Sequence, residues 1–182
     1  PQWAAPGTYT WKIPLSTQET SALVECEGPG GNGGSGGLGI KGGAGGGGAY
    51  ANTSIFFEPG EEFEIVVGAG GGAYTQVTRL STGTVICKAV GGTSGVNGNP
   101  NGDGAGGQAA ACIGDTATSG QAGGVSGIDN GGNGAAPLGG TGGIGPGPNA
   151  GVAPGGGGSG ANPGGQNLGG AGAAGLARFT LS

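Results

Sequence analysis

The sequence predicts an all-β protein: a small antiparallel β-sandwich capping a bundle of polyglycine-II helices, with no α-helix. Three observations predict it. Glycine accounts for 55 of 182 residues and recurs at 30, 33, 36, 39, 42, 45 and 48. That three-residue period fits neither an α-helix nor a strand, but it fits a left-handed extended helix with three residues per turn. Elsewhere, short stretches alternate apolar and polar residues with a period of two, as half-buried strands do. No stretch carries the apolar spacing of an amphipathic helix.

The strands are expected in order as follows. Residues 7–13 place Tyr9, Trp11 and Ile13 on one face, and Pro14 ends the run. Residues 21–27 place Ala22, Val24 and Cys26 on one face, with Glu25 and Glu27 on the other. Residues 49–57 resume the alternation after the glycine block, with Ile55 and Phe57 sharing a face. Residues 62–67 point Phe63, Ile65 and Val67 inward, and Pro59-Gly60 before them suit the centre of a type II turn. Residues 73–80 and 84–90 pair around Ser81-Thr82-Gly83, and 176–182 supply a last strand. The apolar set suffices for one small sandwich.

Residues 91–175 form the second part. Their only charges are Asp103, Asp115 and Asp129, and glycine again falls at every third position over much of 139–175. The organisation expected is a sandwich over 1–90 with an inserted glycine rod at 28–48. A rod bundle over 91–175 follows, and 176–182 return to the sandwich.

A polyproline-II-type rod makes no internal hydrogen bonds, so its amides need partners on neighbouring rods. Glycine lacks a Cβ and lets rods approach until N–H meets C=O. Ordering such a chain costs about 1–2 kcal/mol of backbone entropy per residue, which only a lattice of paired amides can offset. Tips between rods are then expected at 97–103, 114–119, 128–130, 146–149 and 161–167.

Composition narrows the function classes. The net charge is −5, and Lys12, Lys41, Arg79, Lys88 and Arg178 are the only cations, which argues against a nucleic-acid partner. No apolar run approaches the length of a membrane span. Nor do the first residues have the charged and apolar regions of a signal peptide, so Pro1-Gln2 reads as a start left by removal of an initiator Met. Collagen would need proline within the triplets, and 30–48 has none.

Catalytic signatures are weak. There is no histidine, hence no imidazole-based triad. Gly33-x-Ser35-x-Gly37 matches a nucleophile elbow only as glycine-rich chance. The glutamates at 58, 61, 62 and 64 read as a solvated turn. Cys26, Cys87 and Cys112 lack metal-site spacing. Buried free thiols are expected at Cys26 and Cys87, with a Cys87–Cys112 bridge as the alternative. Asn97, Asn99, Asn101 and Asp103 alternate like a calcium loop but lack its bidentate glutamate, so ordinary Asn/Gly turn chemistry is expected. No enzyme activity and no cofactor is expected.

The order of parts carries a resemblance. PGTYTW, the VEC strand running into GGNGG, GGGGAYA, FEPGEEFEIVVGAGG and the closing ARFTLS resemble the glycine-rich domain of bacteriophage tail proteins, over essentially the whole chain. They are similar to tip adhesins whose polyglycine-II bundle presents loops to the host surface. The resemblance implies a virion protein made in the host cytoplasm, with other virion proteins and a host-surface glycan or outer-membrane protein as partners. Receptor contacts are then expected at Asn97, Asn99, Asn101, Asp103, Asp115, Thr116, Asp129, Asn130, Asn149, Asn162 and Asn167, and a partner anchor at Trp3. A purely structural minor virion protein and an ice-binding protein remain as alternatives.

Overall fold

Two antiparallel sheets face each other in the computed structural model, which describes residues 1–37, 40–98, 103–124, 130–145, 148–161 and 168–182. The strands are β1 (Gln2–Trp3), β2 (Gly7–Lys12), β3 (Ser21–Glu27), β4 (Tyr50–Phe56), β5 (Glu62–Val67), β6 (Tyr74–Arg79), β7 (Thr84–Val90), β8 (Thr116–Thr118) and β9 (Leu176–Leu181). One sheet runs β1-β9-β3-β4-β8 and the other β2-β5-β6-β7. Among the described residues the only helical element is a 3-10 turn at Ala109–Ala111.

The period-two runs become strands because each has a face to bury. Val24 and Cys26 of β3, Phe63 and Ile65 of β5, Val77 of β6, Cys87 of β7 and Ala177 of β9 are all fully buried between the sheets. Trp11, Phe63 and Phe179 form an aromatic cluster, with Trp11 edge-on to Phe179 at 4.7 Å between centroids. Such pairs add about 0.5–1.5 kcal/mol beyond burial. The Pro59-Gly60 turn closes as expected: Glu61 N–H reaches the Glu58 carbonyl at 3.1 Å, and Gly60 takes φ +87°.

One expectation is corrected and one alternative falls. Residues 114–119 are not a tip between glycine segments, because Thr116–Thr118 add a strand to the edge of β4. The buried free thiols expected at Cys26 and Cys87 are found, and the alternative Cys87–Cys112 bridge is not formed. Glu25 and Glu27 lie on the β3 face opposite Val24 and Cys26, and both are buried.

Register brings the ends of β3, β4, β8 and β9 together: Glu27 lies opposite Tyr50 and Leu176, and Tyr50 opposite Thr118. Every long insertion therefore leaves the sandwich at one end. The inserted segments are extended and bond to one another through their backbones. Segment 28–36 runs antiparallel to 42–49, with Gly28, Gly31 and Gly34 donating to Ala49, Gly46 and Gly43. Three residues separate each successive bond, as they do in the pairing of Gly42, Gly45 and Gly48 with Ala161, Gly158 and Gly155. Segment 42–49 also bonds with Thr93 and Val96, with Gly104 and Gly107, with Gln121, and with Gly132 and Ala135. It is thus enclosed by other backbone on all sides. A Cβ on Gly45 would overlap the carbonyl of Gly31, so this approach requires glycine.

Candidate functional site

Most connections between glycine segments gather at the end away from the sandwich, whereas the turns at 135–139 and 152–155 lie at the base, beside Glu27. At the far end Gly37 and Ile40 bridge, Gly98 N–H reaches Ser35, Gly124 N–H reaches Asn130, and Ala161 N–H reaches Gly34. Of the expected contact residues, Asn97, Asp103, Asn130 and Asn149 lie there. Asn99, Asn101, Asp129, Asn162 and Asn167 fall outside the described residues.

The side chains found at this end are tied to backbone. Asn97 Oδ1 accepts from Ser35 N–H at 2.7 Å, Asp103 Oδ1 from Ala44 N–H at 2.8 Å, and Asn130 Oδ1 from Gly145 N–H at 2.5 Å. Asn149 Nδ2 donates to the Ile144 carbonyl at 2.6 Å. Asn32 and Asn133 follow the same rule, accepting from Gly172 and Gly142 at 2.8 Å. At the margin of the array a segment has no neighbour on one side. A short side-chain oxygen then takes the place of the missing carbonyl. Sequence reasoning missed this capping role, although Asn and Asp beside glycine were the available signal.

Asp115 and Thr116 stand at the β8 edge. Asp115 Oδ2 accepts from Thr53 Oγ1 and Ser54 N–H at 2.8 and 2.9 Å, which holds its carboxyl below the usual carboxylate range. Thr116 Oγ1 donates to Asn52 Oδ1. Trp3 packs on Trp11 and Phe179, with centroids 5.7 and 6.0 Å away, so it belongs to the margin of the core.

Two buried carboxylates were not expected at the base of the array. Glu25 pairs with Arg178 and accepts from Tyr50 Oη at 2.9 Å. Burial, reinforced by Glu25, pushes the Tyr50 phenol up to about 12, against a partial opposing effect of Asn52. Glu27 is fully enclosed; its Oε1 accepts from Ala135 N–H at 2.9 Å, while its Oε2 has no partner. Burial pushes this carboxyl up to about 9, so it is protonated at neutral pH.

Surface depressions occur on both parts of the molecule. One, of about 800 Å³, lies at the sandwich end away from the array, beside Phe56, Pro59, Glu61 and Arg79. Another, of about 420 Å³, lies on the array among Gln121, Asn130, Asn133, Thr141 and Ile144. Among the described residues no cluster of three metal-binding side chains occurs. No protein-family model matches the chain, and no curated protein matches it either.

Proposed function

We propose that the chain is a bacteriophage tail-fibre or tail-tip protein that presents loops to the host surface and catalyses no reaction. In this reading the extended glycine segments are polyglycine-II helices packed as a bundle, and the sandwich anchors them. The supporting observation is the arrangement of connections. The described residues flanking 99–102, 125–129, 146–147 and 162–167 converge on one end of an array whose interior amides are paired. A scaffold of this kind holds variable loops without needing a large apolar core. The opposite end exposes Phe56 and Leu15, at 81% and 79%, as expected of a face that packs against another virion protein.

The test is adsorption. Purified chain added to host cells is expected to bind them and to compete with the phage for attachment. Exchange of 97–103 and 128–130 for the corresponding residues of a relative is expected to change host range. A chain that neither binds cells nor competes, and that labels to the capsid in virion images, would leave the minor structural role instead.

A further inference from the structure

The depression on the array has a chemistry of its own. Its walls come from segments 119–124, 130–135 and 139–145, and its floor includes Gly131 and Gly142. The floor amides are already paired: Gly131 N–H donates to Gly143 and Gly142 N–H to Asn133 Oδ1. Neither of these two N–H groups is therefore open to a ligand. The rim oxygens are engaged as well. Asn133 Oδ1 holds Gly142, and Gln121 Oε1 accepts from Asn133 N–H at 3.4 Å. An amide whose oxygen faces the backbone must turn its NH2 away from it. Asn133 and Gln121 are both exposed, so their NH2 groups are presented outward, beside the exposed Thr141 hydroxyl and the Ile144 side chain, which is 74% exposed.

No charged side chain lines this groove, so nothing in it selects a phosphate or a carboxylate. It offers neutral donors on one side and a single aliphatic face on the other. At about 420 Å³ it falls within the range of small-molecule sites, roughly 300–1,000 Å³. A peptide would want an apolar pocket for an anchoring side chain, and Ile144 is the one large apolar residue in the lining. We propose that this groove binds a neutral, hydroxyl-rich saccharide, its oxygens on the Asn133 and Gln121 amides and Thr141, and its C–H face on Ile144. The biological sense of such a site rests on the host-surface reading above, but its chemistry does not.

The test uses the full chain and the methyl glycosides of glucose, galactose, mannose and N-acetylglucosamine as probes. NMR titration is expected to show at least one of them shifting the Asn133 and Gln121 side-chain NH2 signals, with millimolar affinity. Thr141→Tyr fills the groove from an exposed position and is expected to abolish the shifts. Asn133→Asp keeps the oxygen on Gly142 N–H but removes the outward donor. It is expected to weaken binding about five- to tenfold at unchanged melting temperature. The proposal is overturned if none of the four sugars shifts these signals, if Thr141→Tyr leaves the shifts intact, or if Asn133→Asp binds as tightly as the parent. Cell binding without sugar binding would sink the groove alone, whereas sugar binding without cell binding would sink the adhesin reading alone.

Discussion

Glu27 shows how one residue can set the pH response of the molecule. Its carboxyl is enclosed at the junction of sandwich and array, and Gly134 and Gly155 leave it the room that a Cβ on either would take. Its folded value of about 9 lies above the ordinary 4.5. Between those values the folded chain holds a proton that the unfolded chain releases. Stability from this group is therefore complete below pH 4.5 and is lost as pH rises towards 9, by at most about 1.4 kcal/mol per pH unit. Urea unfolding at pH 5 and pH 8 should show the lower midpoint at pH 8, and Glu27→Gln should flatten the difference. Asp115 has the opposite sign, but its window lies at lower pH, below the ordinary 3.8. The thiols give a second check. Cys26 and Cys87 are buried, and burial raises the Cys26 thiol well above its ordinary value. A thiol reagent should leave both untouched in native protein, react slowly with half-buried Cys112, and reach all three after denaturation.

Along an element, the argument is about which glycines are needed. Gly45 sits where any Cβ would strike the Gly31 backbone, whereas a Cβ at Gly37 would meet nothing within 4 Å. Gly45→Ala should cost about 3 kcal/mol, because the Gly31–Asn32 backbone must move. Gly37→Ala should fall within about 0.5 kcal/mol of the parent. Equal melting temperatures for the two variants would contradict the close packing of 28–36 on 42–49. Triplet spacing foretold that these segments would meet, and the period-two runs foretold seven of the strands. β1 and β8 escaped notice because Gln2–Trp3 and Thr116–Thr118 are too short to show a period. They are strands only because the edges of β9 and β4 stand beside them.

At the scale of the molecule, sandwich and array share backbone and hydrogen bonds. Gly175 N–H donates to Gly68 at 2.9 Å, Gly71 N–H to Gly30 at 2.7 Å, and Ala135 N–H to Glu27 at 2.9 Å. Strands β3, β4, β7, β8 and β9 each continue directly into glycine segments. Neither part is expected to unfold alone. Phe63, fully buried among Trp11 and Phe179, offers the test. Phe63→Ala should cost about 3–5 kcal/mol. It should lower by the same amount the midpoint seen by tryptophan fluorescence, which reports the sandwich, and by exchange of the 42–49 amides, which reports the array. Separate midpoints would mean two independent units.

Much of this protein was legible in its residues, because periodicity is a local property. Spacing of two or three residues dictates which side chains share a face, and alternation at Phe63, Ile65 and Val67 needed no neighbour to be read. The uses of Asn32, Asn97, Asp103 and Asn133 were not legible. Nor was the enclosure of Glu27, which local pattern placed simply on the face opposite Cys26. Each depends on where a distant segment happens to end and which amide it leaves without a carbonyl. That is a property of three-dimensional packing between residues as far apart as Asn32 and Gly172, and no local pattern encodes it.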